Sequence, residues 1–193
     1  MSGGRIGAIV LAGGRSSRFG RDKLAEPLDG RPLLDHAISA VHAVAAETVV
    51  VLAPDADRAL PTGVHIARDE QAFEGPLAGL AAGLAALPAD VHRVIVVGGD
   101  MPTLSIPVLR LLLDALQGAV SAAVLDDGGP MPMAIRPAVA APAVRQLLSD
   151  GERRLRALPE RLDATVIPGP IWRALDPDAA TLRDIDRPSD VAR

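Results

Sequence analysis

The side chains best suited to chemistry fall in a few short strings. Residues 11–23 read Leu-Ala-Gly-Gly-Arg-Ser-Ser-Arg-Phe-Gly-Arg-Asp-Lys. Gly13 and Gly14 follow an apolar run, and glycines there let backbone N–H groups approach phosphate oxygens closely. Arg15, Arg18, Arg21 and Lys23 add four positive charges within nine residues. Such a loop can clamp a triphosphate and stabilise charge developing on a pyrophosphate leaving group. It lacks the Gly-Lys-Ser/Thr of a P-loop and the glycine spacing of a dinucleotide fingerprint. From the residues alone, a solvated basic loop is the other reading.

A second string, Val96-Val97-Gly98-Gly99-Asp100-Met101-Pro102, sets a carboxylate just past an apolar run. That place suits Mg²⁺, which commonly takes one or two carboxylates together with substrate phosphates and water. A carboxylate capping the next helix is the alternative. Asp69 precedes Gly75-Pro76-Leu77-Ala78-Gly79-Leu80, a turn that feeds a small-residue helix. Gly79 and Gly83 read as sites where that helix packs close to a sheet. Gly151-Glu152-Arg153-Arg154 carries two guanidinium groups that could meet a terminal phosphate, or simply be solvated. Asp186 lies in the acidic string Asp184-Ile185-Asp186-Arg187-Pro188-Ser189-Asp190. The four histidines (36, 42, 65 and 92) show no metal-ligand spacing and read as structural.

These strings need a frame. Strands are expected over 6–11, 48–52, 64–67, 94–97 and 120–125, with an antiparallel one over 131–135 and edge strands over 165–167 and 182–185. A short extended piece over 24–28 closes in the turn Asp29-Gly30. Helices are expected from Pro32 to about Ala45, over 55–60, 76–87, 139–149 and 152–161, and from an N-cap at Ser105 to Gln117. The Pro/Gly-rich piece 168–178 reads as the least structured stretch. Strands alternating with helices predict an α/β fold of three layers, Rossmann-like, with a mainly parallel, partly mixed central sheet. In such sheets ligands bind at the carboxyl ends of the strands, where loops 12–23 and 98–103 should meet. The 193 residues suit one domain, 1–193.

Composition excludes several classes. Cysteine is absent, which removes disulfides, thiolate metal sites and a cysteine nucleophile. The net charge of −4 gives no general attraction to nucleic acid or acidic membranes. Aromatics are only 2%, too few for a surface that stacks single-stranded bases. The hydrophobic share of 49% supplies a core of Ala, Val, Leu and Ile. No apolar run is long enough to span a bilayer, so a cytoplasmic protein is expected.

The string Leu-Ala-Gly-Gly-x-Ser-x-Arg-x-Gly-x-Asp-Lys over 11–23 resembles the signature of the molybdenum cofactor guanylyltransferase (MobA-like) family of nucleotidyltransferases. The resemblance extends in order through Gly30-Arg31-Pro32-Leu33-Leu34, 69–80, 96–102, 151–154 and 184–188. It implies the fold of nucleotide-diphospho-sugar transferases, with a nucleotide-binding N-terminal half and an acceptor-binding C-terminal half, and a Mg²⁺-dependent transfer of GMP from GTP to the phosphate of molybdenum-molybdopterin. It implies that the backbone of Leu11, Ala12, Gly13 and Gly14, with Asp69 and Gly75, lines the nucleotide pocket. It also implies Lys23 on the phosphates, Arg15 and Arg18 on the pyrophosphate, Asp100 and Asp186 on the metal, and Arg153 and Arg154 on the acceptor. A molybdoenzyme or its chaperone is the implied recipient of the product. Leu52 stands where some members have Asn, and Phe19 where Met is frequent, so CTP stays open as donor. A sugar-1-phosphate acceptor, and a silent nucleotide- or partner-binding domain, are the rival readings.

Overall fold

The computed structural model describes residues 4–13, 22–68, 75–126 and 129–185. Its elements in chain order are β1 (Arg5–Ala12), β2 (Pro27–Leu28), β3 (Arg31–Pro32), α1 (Leu33–His42), β4 (Glu47–Leu52), β5 (His65–Arg68), α2 (Pro76–Ala86) and β6 (Val91–Gly98). There follow α3 (Ile106–Asp114), β7 (Ala122–Leu125), β8 (Met133–Ile135), α4 (Pro137–Ser149), α5 (Ala157–Arg161), β9 (Thr165–Ile167) and α6 (Gly169–Arg173). Two 3-10 turns, Lys23–Ala25 and Ala180–Leu182, lie outside these.

Among the described residues seven strands form one sheet in the order β5-β4-β1-β6-β8-β7-β9. β1 pairs in parallel with β4 and β6, β4 with β5, and β7 with β9. Only β8 runs against its neighbours β6 and β7. Its direction follows from chain length. The link from Leu125 to Met133 is shorter than the dozen or so residues that a parallel crossover needs.

The central strands are continuous apolar runs because both faces are covered. Side chains alternate between faces, so Ala8, Val10, Val50, Ile95 and Val97 pack with Ile38 and Val41 of α1 and Leu109 and Leu112 of α3. Ile9, Val49, Val51, Val94 and Val96 pack with Leu77 and Leu80 of α2, Val144 of α4 and Leu158 of α5. This is the expected α/β architecture, and the turn at Asp29-Gly30 is confirmed by φ of 50° and 75° joining β2 to β3.

Four local expectations are corrected. Residues 55–60 form no helix: Nη1 of Arg68 donates to the carbonyls of Ala53, Pro54 and Ala56, at 3.2, 3.1 and 2.8 Å, holding the segment as an open loop. Residues 182–185 form no strand, because Thr181 and Leu182 close a 3-10 turn and the Ile185 N–H goes to Asp100. The 168–178 stretch contains α6, whose proline sits in the first turn and whose Trp172 is fully buried. Helix 152–161 shortens to α5, since the Glu152 carboxylate captures the Arg153 and Arg154 N–H groups. Ser105 does precede α3, yet its side chain makes no capping bond.

A Cβ on Gly83 would lie 2.7 Å from Cγ2 of Ile9, whereas one on Gly79 would meet nothing nearer than 3.7 Å. Close approach of α2 to β1 therefore needs Gly83 and not Gly79. In chemical denaturation Gly83→Val should lose about 1–3 kcal/mol by overpacking, and Gly79→Ala should gain about 0.5–1 kcal/mol through helix propensity.

Candidate active site

β1 and β6 are adjacent and parallel, with Leu11 opposite Gly98. Their loops therefore leave the same edge side by side. The Gly99 N–H donates to the Leu11 carbonyl at 2.9 Å, carrying the pairing one step past the strands. A Cβ on Gly98 would sit 2.5 Å from Oδ1 of Asp100, so the carboxylate folds back over a residue without a side chain. A Cβ on Gly99 would lie 3.0 Å from Cδ1 of Leu34 and 3.4 Å from Cβ of Ala12.

Lys23 reaches the same place from the other loop. It opens a 3-10 turn whose N-cap is Asp22, with Oδ1 accepting the Leu24 N–H at 3.1 Å. Arg58, from the loop that Arg68 holds, forms an ion pair with Asp22. The turn thus fixed directs Nζ of Lys23 to Oδ2 of Asp100 at 2.6 Å, a charge-assisted hydrogen bond. The two side chains are 16% and 24% exposed, so the pair is half-sunk at the sheet edge and still reachable. Arg58 is a site residue that no motif signals.

Nearby, Gly75 precedes α2 with φ +97°, a conformation that favours glycine. A Cβ there would lie 2.8 Å from the Arg153 carbonyl, which also accepts the Leu77 N–H at 3.4 Å. The turn before α2 and the loop 152–154 are therefore pressed together. In that loop Oε1 of Glu152 accepts the N–H groups of Arg153 and Arg154 and Nε of Arg154, and Oε2 accepts Nη2 of Arg154 at 2.6 Å. Arg153 turns back and donates to the Leu148 and Glu152 carbonyls. Both arginines thus serve the loop's own order, and Arg154 remains 63% exposed.

Of the residues singled out from sequence, the fold brings Leu11, Ala12, Gly13, Lys23 and Asp100 to one edge, and Gly75 against Arg153. Gly14, Arg15, Arg18, Asp69 and Asp186 lie outside the described residues. Among the described residues no three His, Cys, Asp or Glu side chains cluster as a metal cage. His36 contacts the Leu28 carbonyl and His65 contacts Glu47, in line with structural roles. No helix among the described residues is long and apolar enough to cross a membrane. A cavity of about 570 Å³ between β7, β9 and α5 includes none of the Lys23–Asp100 surroundings.

A family model described as the MobA-like NTP transferase domain matches residues 8–166. The chain is similar to the "Probable molybdenum cofactor guanylyltransferase" of Chloroflexus aggregans, 33% identical over 197 residues, covering 96% of this chain and 91% of that one. The protein of the same name from Deinococcus radiodurans is 35% identical over 188 residues, with the same coverage of 96% and 91%. Among solved structures, molybdopterin-guanine dinucleotide biosynthesis protein A from Archaeoglobus fulgidus superposes with a TM-score of 0.78 at 22% identity, covering 97% of this chain and 95% of that one. The 4-diphosphocytidyl-2C-methyl-D-erythritol synthase of Anaerococcus prevotii gives 0.72 at 17%, covering 98% and 94%. Both structures share the fold.

The Arg154 guanidinium, followed by the backbone N–H groups of Arg154 and Arg153, holds the Glu152 carboxyl well below the usual carboxylate range. A depressed folded value means that the order imposed by this carboxylate is complete above the unfolded range and is lost only as pH falls through the lower value. In an NMR titration Glu152 should stay ionised at about pH 4, where a free glutamate is already about two-thirds protonated. A midpoint at the ordinary value would show that the clamp does not persist in solution.

Proposed function

This chain belongs to the MobA-like NTP transferase domain family and is a nucleotidyltransferase, and from that premise we propose that it transfers GMP from GTP to the terminal phosphate of a molybdopterin cofactor. The observation that carries the reading is the Lys23–Asp100 pair, 2.6 Å apart at the carboxyl edge of β1 and β6. One cation and one carboxylate beside a glycine-bearing strand end suit a triphosphate with its counter-ion. The names of the relatives supply the guanine and the pterin.

An acceptor phosphate oxygen attacks the α-phosphorus of GTP, a bond to the α-phosphorus forms, and the bond to the bridging oxygen of the β-phosphate breaks to release pyrophosphate. The acceptor is already ionised at neutral pH, so no protein nucleophile or general base is required. The protein's work is positioning and charge neutralisation. Lys23 would contact the triphosphate, while Arg15 and Arg18 would neutralise the departing pyrophosphate. Backbone of Leu11, Ala12, Gly13 and Gly14, with Asp69 and Gly75, would hold base and ribose. Arg153 and Arg154 would face the acceptor.

Asp100 fits Mg²⁺ of the kind that leans on substrate oxygens: a single half-exposed carboxylate, with Oδ1 lying over Gly98 and Oδ2 toward Lys23. Asp186 would be a second oxygen ligand. When bound, Mg²⁺ supplies positive charge to the phosphate oxygens.

The test is pyrophosphate release with GTP and with CTP, each with Mg²⁺ and molybdenum-loaded molybdopterin. Release with GTP alone is expected, and release with CTP alone would move the chain to cytidylyl transfer. Lys23→Ala should lower turnover at least about tenfold, on the order of 1.4 kcal/mol in the barrier. Asp100→Asn should lower turnover and raise the Mg²⁺ requirement; unchanged Mg²⁺ dependence in that variant would remove Asp100 from the metal site.

A further inference from the structure

Few polar side chains are buried among the described residues, and two of them, Asp176 and Thr181, stand close together in the chain beyond α6. The Asp176 carboxylate accepts the Ala180 N–H through Oδ1 at 3.1 Å and the Thr181 N–H through Oδ2 at 2.7 Å. Its own carbonyl accepts the Ala179 N–H at 3.0 Å. These bonds enclose Ala179, a non-glycine residue at φ 50°. A left-handed alanine costs on the order of 1 kcal/mol and persists only where its surroundings over-determine it. Here the Asp176 carboxylate provides that restraint.

The turn so built grips the loop that carries Asp100. Oγ1 of Thr181 accepts the Ser105 N–H at 2.9 Å, and the Ala180 carbonyl accepts from Oγ1 of Thr103 at 2.7 Å. Four residues on, the Ile185 N–H donates to the Asp100 carbonyl at 3.0 Å. Three bonds thus fasten residues 100, 103 and 105 to a strap formed by 176–185. Ser105 occupies the N-cap position of α3 without a capping bond from its side chain, and its own N–H is held by the strap.

We propose that Asp176 and Thr181 are positioning residues for Asp100, setting the backbone from which its carboxylate meets Lys23. They touch no reacting atom. Their effect passes through the loop 100–105, and a displacement of about 1 Å at a reacting centre can cost on the order of a hundredfold in rate. The inference rests on the proposed nucleotidyl transfer only in that Asp100 belongs to its machinery.

Thr181 offers a pair of substitutions with opposite expectations. Thr181→Val keeps the shape and removes the acceptor of the Ser105 N–H; Thr181→Ser keeps the acceptor and removes a methyl group. Positioning through the hydrogen bond predicts kcat at least tenfold down in Thr181→Val, with KM for the nucleotide within twofold, and kcat within twofold of the parent in Thr181→Ser. Asp176→Asn should resemble Thr181→Val. A packing role predicts the reverse order, and a fully active Thr181→Val or an equally impaired Thr181→Ser overturns the proposal. Rates are read with whichever nucleotide and acceptor the parent turns over, so a wrong acceptor sinks the proposed function and leaves this comparison standing. Amide exchange gives a readout without turnover. The Ser105 and Ile185 amides should exchange faster in Thr181→Val than in Thr181→Ser, and equal exchange in the two would also overturn the proposal.

Discussion

The parallel pairing of β1 with β6 is the constraint on which the candidate site depends. It aligns Leu11 with Gly98 and continues through the Gly99–Leu11 bond, so two loops far apart in sequence start from one line. Once they do, a lysine from one and an aspartate from the other need only local contacts to bring them together. The strands hold that line because they are apolar on both faces and packed between α1 and α3 on one side and α2, α4 and α5 on the other. The core's volume and the site's geometry are therefore the same problem.

What remains to be fixed is local, and it is fixed from both flanks. On the Lys23 side, Arg68 orders the loop 53–56, Arg58 in the following residues pairs with Asp22, and Asp22 caps the turn. On the Asp100 side, the 176–185 strap holds the loop backbone. Both flanks bury apolar side chains, Leu24 on one side and Ile185 against Leu33 on the other. Both also use hydrogen bonds, with Arg68 and the Ile185 N–H donating to carbonyls and Asp22 and Thr181 accepting N–H groups, and such bonds specify direction as well as proximity.

The sheet was readable because buried parallel strands leave long Val/Ile runs, as in 6–11 and 94–97. Lys23 and Asp100 were readable because their strings stand just past those runs. The misread pieces share a different cause. Nothing near 55–60 announces that Arg68 takes three of the loop's carbonyls, so the local sequence reads as a helix. Ile185 has the apolar character of a strand residue, yet its N–H serves a single carbonyl across the molecule. The 168–178 stretch looked unstructured from its prolines and glycines, while Trp172, the chain's one tryptophan, was the signal that it is anchored in the core. Arg58 carries no local pattern at all; its role comes from a partner 36 residues away.

The strap also has a meaning in time. Its bonds to the Asp100 loop join residues 76 to 77 positions apart through Thr181 and Ala180, and farther still through Ile185. A ribosome delivers β1, β6 and α3 well before it delivers Thr181. The sheet edge can therefore assemble while the loop at its mouth still lacks these tethers, which the growing chain supplies only after the strands of the sheet. Nascent chains stalled between β9 and the strap would carry the seven-stranded sheet with the Asp100 loop untethered, and the proposed positioning of Asp100 would arrive with the closing turn rather than with the core.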